Sequence, residues 1–173
     1  VADSDKVDSK DNSQDSKQED TQVMLSTQES GRSQQTSKLY MNNEIDHDVI
    51  NLAKAIRQKE SGGNFNAVGD KGTSRGAYQW QPATWKSHAK QVLGDENAQM
   101  SPQNQNAVAY GVIKGLKDSG KNVAQIAAIW NSGSDKGWEN KIGRNEKLGV
   151  DYNVPQYVKD VATNYQTIKR GNN

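Results

Sequence analysis

One carboxylate and the loop after it carry the densest set of chemically useful residues in this chain. Glu60 closes an apolar-periodic stretch, and glycines come next at 62, 63, 69, 72 and 76, then Tyr78, Gln79, Trp80 and Gln81 in succession. Glu60 falls four residues after Ile56, so on a helix it shares the apolar stripe and points toward the core or a cleft lined by it. Burial and the negative end of the helix dipole both disfavour the charged form there. A carboxyl kept protonated near neutral pH can protonate a leaving oxygen. Taken alone, a helix-end glutamate is more often a solvated residue of a fraying last turn. The loop shifts the weight, since its glycines let a ligand approach the backbone. Aromatic and amide side chains hold sugar rings by stacking and hydrogen bonding. The plainer alternative is that Tyr78 and Trp80 are core residues and the glycines only make a turn.

Other candidates are weaker. Asp70, within Gly69-Asp70-Lys71-Gly72, is placed to activate water opposite Glu60, but Asp is common in turns for local hydrogen bonding. Asp95 and Asp135 are more distant in sequence. His47 and His88 fall on different helices with no third ligand at suitable spacing, so no metal is expected, and no cofactor either. The chain has no cysteine, which excludes disulfides and thiolate metal sites.

The elements that must position these residues read as helices. Ile45, Val49, Leu52, Ala53 and Ile56 form one stripe, with Asn43 as a reasonable N-cap and Ser61-Gly62-Gly63 as the stop. A second helix starts at Pro82 and ends before Gly94, with Trp85, Ala89, Val92 and Leu93 inward. A third has Ser101 as cap, Pro102 first, Gly120 beyond its end and Ala109, Val112, Ile113 and Leu116 buried. The fourth, from Val123 to Trp130, is apolar nearly all round and is expected to run through the centre of the domain. A last helix begins near Pro155, turns Val158, Val161, Ala162, Tyr165 and Ile168 inward, and stops before Gly171. No stretch alternates long enough to predict a strand, and residues 145–153 read as an exposed loop. Arg144 and Lys147 there can meet acidic peptides, or simply be solvated. The fold class is mainly α.

Composition sets the outer bounds. The hydrophobic fraction is 32%, and the shortage is concentrated in residues 1–43, a polar run that cannot offset its folding entropy and reads as a disordered tail. Residues 44–173 then form one domain of ordinary size. A net charge of +1, with no basic arm, gives no sign of a nucleic-acid partner. No apolar run is long enough to span a membrane, so the chain reads as soluble. Its first residue is Val, which suggests processing, with any signal or anchor upstream and the tail as a spacer.

With these residues in view, the segment "ESGGNFNAVGDKGTSRGAYQWQPATW" resembles the catalytic segment of the soluble lytic transglycosylases, relatives of goose-type lysozyme. Glu60-Ser61 matches the family's Glu-Ser at a helix end. "GAYQWQPAT" matches Gly-Leu-Met-Gln followed by Pro-x-Thr, "AIWNSG" (128–133) matches Ala-Tyr-Asn-Ala-Gly, and Tyr157-Val158 matches a Tyr-Val near the start of the last helix. The four motifs come in family order. Two departures stand out: Ala77-Tyr78 replaces Leu-Met, and Trp130 replaces the tyrosine before Asn. The Tyr-Gln pair is also similar to that of certain phage lysozymes.

The resemblance implies a lysozyme-like helical fold and cleavage of peptidoglycan strands between N-acetylmuramic acid and N-acetylglucosamine, with 1,6-anhydromuramoyl products. It implies Glu60 as sole acid/base, Gln79 and Asn131 as substrate holders and Tyr157 close to the Glu60 carboxyl. Ser61 would support the site or contact the sugar, and Tyr78 and Trp130 would line the cleft. A hydrolytic muramidase using Glu60 with Asp70, and a non-catalytic peptidoglycan-binding module, are the rival readings. A monomer acting outside the cytoplasmic membrane is expected, in wall remodelling, in a secretion or conjugation apparatus, or in phage entry.

Overall fold

The computed structural model describes residues 46–172. The polar stretch 1–43, Asn43 and Ile45 lie outside the described residues. Five α-helices occur among the described residues: α1 (His47–Ser61), α2 (Pro82–Leu93), α3 (Pro102–Asp118), α4 (Val123–Ser132) and α5 (Val154–Gly171). None is long and apolar enough to cross a membrane. The chain is mainly helical, as periodicity indicates.

Local chemistry sets most of the helix ends. Helix α1 opens at Asp46, whose carboxylate accepts from the backbone N–H groups of Asp48 and Val49. It closes on Gly62, which is left-handed and donates to the Arg57 and Gln58 carbonyls. Prolines occupy the first turns of α2, α3 and α5. Asn122 and Gln125 form a reciprocal capping box at the start of α4. Helix α5 runs through Gly171 rather than stopping before it.

The expected central helix is not the observed one. In α4 only Ile126, Ala127 and Ala128 are fully buried, because this ten-residue helix packs mainly against α5. Helix α1 takes the central place, contacted by both α3 and α5, with Val49 to Ala53, Ala55 and Ile56 buried. Lys54 and Arg57 hide this in the sequence: long basic side chains run their methylenes along apolar surface. In α3 the buried face is also shifted. Gln105 to Tyr110 and Ile113 are buried, whereas Val112 and Leu116 are only partly so.

Two small hairpins correct the expectation of no strands. β1 (Val68–Gly69) pairs antiparallel with β2 (Ser74–Arg75), and β3 (Ile142–Asn145) with β4 (Val150–Asn153). Strands of two and four residues are too short for a period-two pattern to show. Turn chemistry makes them instead. Asp70 and Lys71 take left-handed backbone conformations in the first turn and Gly149 in the second. The segment read as a loop over 145–153 is therefore the turn and return strand of a hairpin. Lys141 O accepts from Val154 N at 3.0 Å, tying that hairpin to the first turn of α5.

Candidate active site

The site grows from the C-terminal end of α1. Glu60 is half-buried, and the Tyr157 hydroxyl, delivered by the first turns of α5, donates to Glu60 Oε1 at 2.5 Å. That length is typical of a hydroxyl bonded to an ionised oxygen. Burial raises the Glu60 carboxyl to about 6; the bond from Tyr157 opposes the rise, the Asp70 charge adds to it and Lys59 opposes it. Tyr157 is held far above its ordinary range, first by burial and then by the Glu60 charge, so it stays a donor throughout the working pH range. Lys59 is itself engaged by Asp160 at 2.8 Å, one turn beyond Tyr157.

Ser61 does not face outward. Its hydroxyl donates to the Ala77 carbonyl at 2.8 Å and so fastens the loop after the hairpin to the end of α1. Two residues on, Gln79 sits at φ 52, a left-handed conformation that is costly for a residue with a Cβ. Its amide donates to Gly76 O at 2.9 Å. Gly69 makes room for it, since a Cβ there would lie 2.1 Å from Gln79 Oε1.

The aromatic residues divide. Tyr78 is 1% exposed and Trp80 5%, so both take the core alternative and neither presents a face to a ligand. Tyr78 therefore departs from its expected place along a cleft. It packs behind Trp130, with ring centroids 5.9 Å apart, and its hydroxyl donates to Asn106 Oδ1 at 2.7 Å. Trp80 packs on the same indole at 5.7 Å and on Trp85 at 5.2 Å. Trp130 is half-buried, leaving part of its ring free on this aromatic support, and Asn131 beside it is exposed.

Asp70 is exposed, and one oxygen, Oδ2, accepts from the Ser74 hydroxyl and from Gln81 Nε2. It is thus a turn residue, yet its charge reaches Glu60. Asp135 pairs with Lys121 at 2.7 Å, and Asp95 caps its own turn through Asn97 N. His47 is exposed at the start of α1. His88 lies on α2 with its ring edge toward Trp80, and burial holds it below its usual pKa. No group of three potential metal ligands occurs among the described residues.

Two residues essential to this geometry are not signalled by the motifs. Gln105 is fully buried and bonds three backbone groups, while Asn106 accepts from both Tyr78 and Arg57 Nη1. A subtler signal exists: they lie four and three residues before Ala109, so the apolar stripe of α3 continues into them. A buried amide at such a position must be satisfied by something specific.

A helical domain with a raised carboxyl at a helix end, a buried tyrosine donor and a supported tryptophan fits the glycan-cleaving class. The family model described as Transglycosylase SLT domain matches residues 39–152, about two thirds of the chain, and the chain belongs to that family. Membership brings the lysozyme-like fold and, at the level of the family, lytic-transglycosylase-type cleavage of peptidoglycan. The match ends before α5 and so does not reach Tyr157, whose hydrogen bond to Glu60 is a feature of the structure. No curated protein matches the chain.

Proposed function

We propose that this chain cleaves the bond between N-acetylmuramic acid and N-acetylglucosamine without consuming water, with Glu60 as the single acid/base. The observation that carries the reading is the half-buried Glu60 carboxyl, raised to about 6 and hydrogen-bonded to Tyr157. Protonated Glu60 gives its proton to the glycosidic oxygen as the muramoyl C1–O bond breaks, releasing the glucosamine 4-hydroxyl. The substrate acetamido oxygen supports C1 meanwhile, an exception to the two-carboxylate scheme. Glu60, now a carboxylate, takes the proton of the muramoyl 6-hydroxyl as that oxygen bonds C1. The anhydro ring closes and Glu60 is restored.

In this reading Gln79 and Asn131 hold the acetamido and hydroxyl groups, and Trp130 stacks on a sugar face. Ser61 and Tyr78 support from behind. The test is mass analysis of fragments released from purified peptidoglycan. Muropeptides lighter by one water, without a reducing muramic end, support the reading, and reducing ends sink it.

A second reading, hydrolysis, is favoured by one observation. Both donors to Asp70 converge on Oδ2, which leaves Oδ1 available to a water. Reducing-end products that disappear in Asp70→Asn would establish it. A binding module without catalysis would instead retain glycan affinity and release nothing. Because peptidoglycan lies outside the cytoplasmic membrane, action there is part of the proposal. Recovery of the native protein solely from the cytoplasm would count against it.

A further inference from the structure

The geometry points to Gln105 as a positioning residue for the Glu60 reaction, acting through the main chain of Ala77 to hold the Gln79 loop at a fixed distance from α1. This rests on the proposed glycan-cleaving function but adds a residue from α3, which carries none of the groups placed against substrate.

The Gln105 side chain is fully buried, and all its hydrogen bonds go to the main chain of other segments. Oε1 accepts from Ala77 N at 2.8 Å. Nε2 donates to Phe65 O at 3.1 Å and to Met100 O at 2.7 Å. One amide therefore joins the glycine loop after α1, the loop before α2 and the entry to α3. An amide with both donor hydrogens and its oxygen engaged has one orientation, since a flip would set donor against donor and acceptor against acceptor.

Ala77 is held through both of the peptide groups that flank its Cα. Gln105 takes its N–H, and its own carbonyl accepts from Ser61, the residue next to Glu60. Gly76, immediately before it, has φ 80 and lies so close to the clamp that a Cβ would meet Gln105 Oε1 at 2.3 Å. Two residues after Ala77 comes the left-handed Gln79, whose conformation persists only where its surroundings over-determine it. The Gln105 and Ser61 bonds to the Ala77 main chain and the Gln79 bond to Gly76 O, together with the Arg75–Trp80 main-chain pair, supply that constraint. Glu60 and Gln79 are thereby referenced to one another through a single residue, Ala77.

The test compares Gln105→Met, which keeps bulk but loses every polar bond, with Ser61→Ala, the double variant and wild type, on solubilised glycan strands. A displaced loop should lower kcat about ten- to hundredfold, with KM changed by less than about threefold. The double variant should lose little more than the worse single one, because both bonds hold one residue, Ala77. By NMR, exchange of the Ala77 amide proton should accelerate while α1 and α5 core amides remain protected. A Gln105→Met enzyme with kcat within twofold of wild type, or losses that multiply in the double variant, overturns the inference. If Gln105→Met does not fold, Gln105→Glu decides. At about pH 5 its protonated carboxyl still accepts from Ala77 and donates once, whereas ionisation, which burial raises into the range of about pH 6–9, ends the donation and sets a charge against the Phe65 and Met100 carbonyls. Its kcat relative to wild type should fall over that range with the fold intact by circular dichroism, and a constant ratio near one overturns the proposal. Wild type that cleaves no glycan removes the functional reading itself. Wild type that cleaves beside an equally active variant removes only the role of Gln105.

Discussion

Replacing Tyr157 by Phe isolates the single hydrogen bond that Glu60 receives from α5. That bond stabilises the carboxylate more than the acid, so it pulls the Glu60 pKa down against the larger effect of burial. Removing it must raise the carboxyl further from its wild-type value of about 6. A hydrogen bond to an ionised group is worth about 1.5–3 kcal/mol, and one pH unit corresponds to about 1.4 kcal/mol, so the rise is between about one and two pH units. The alkaline limb of the activity profile, where the proton donor is lost, should move upward by the same amount. Tyr157→Phe should thus have a lower plateau, since the carboxyl is less well oriented, and yet retain a larger fraction of that plateau at about pH 8 than wild type does of its own. The assay is release of soluble muropeptides over a pH series. Alongside it runs a carbon-13 titration of the Glu60 carboxyl, which needs no turnover. A limb that stays in place or moves toward acid would refute the reasoning and make Tyr157 only a packing residue.

Other consequences can be checked as directly. Glu60→Gln should abolish release of muropeptides while retaining glycan binding. It should also stabilise the fold at about pH 8. Folding raises the carboxyl from 4.5 to about 6, so its contribution is full below the lower value and is lost as pH rises through the upper one. That loss is about 2 kcal/mol, read as a difference in urea midpoint between the two proteins. Gly69→Ala fits the extended backbone there but displaces the Gln79 amide. kcat should fall about tenfold, with KM changed by less than about threefold and Tm unchanged within about 2 °C. Asn106→Leu removes the acceptor that Tyr78 and Arg57 share, and should cost about 1–3 kcal/mol by denaturant unfolding.

Much of this architecture is legible from residue types. Glu60 can be placed because a polar residue at the end of an apolar stripe has only one face to occupy. Proline and glycine mark most helix ends for reasons that act locally. Inside and outside are harder to separate in the loop, where no period constrains direction. Tyr78 and Trp80 have the chemistry of a sugar platform and the burial of a core, and only their contacts with Trp130 and Asn106 decide between them. Helix α1 conceals its central position behind long basic side chains. Gln105 is hidden for the opposite reason: its polarity suggests solvent, while its partners are backbone groups that no side-chain pattern records.

The hydrogen bond between Tyr157 and Glu60 joins residues 97 positions apart. A chain emerging from the ribosome therefore carries its carboxyl long before the helix that completes it. Until α5 docks, Glu60 is a wetter acid, and with less burial its carboxyl lies nearer the ordinary 4.5 than the folded value of about 6. The raised carboxyl is thus a property of the finished fold rather than of the segment that carries it, and is complete only when the last helix packs on α1.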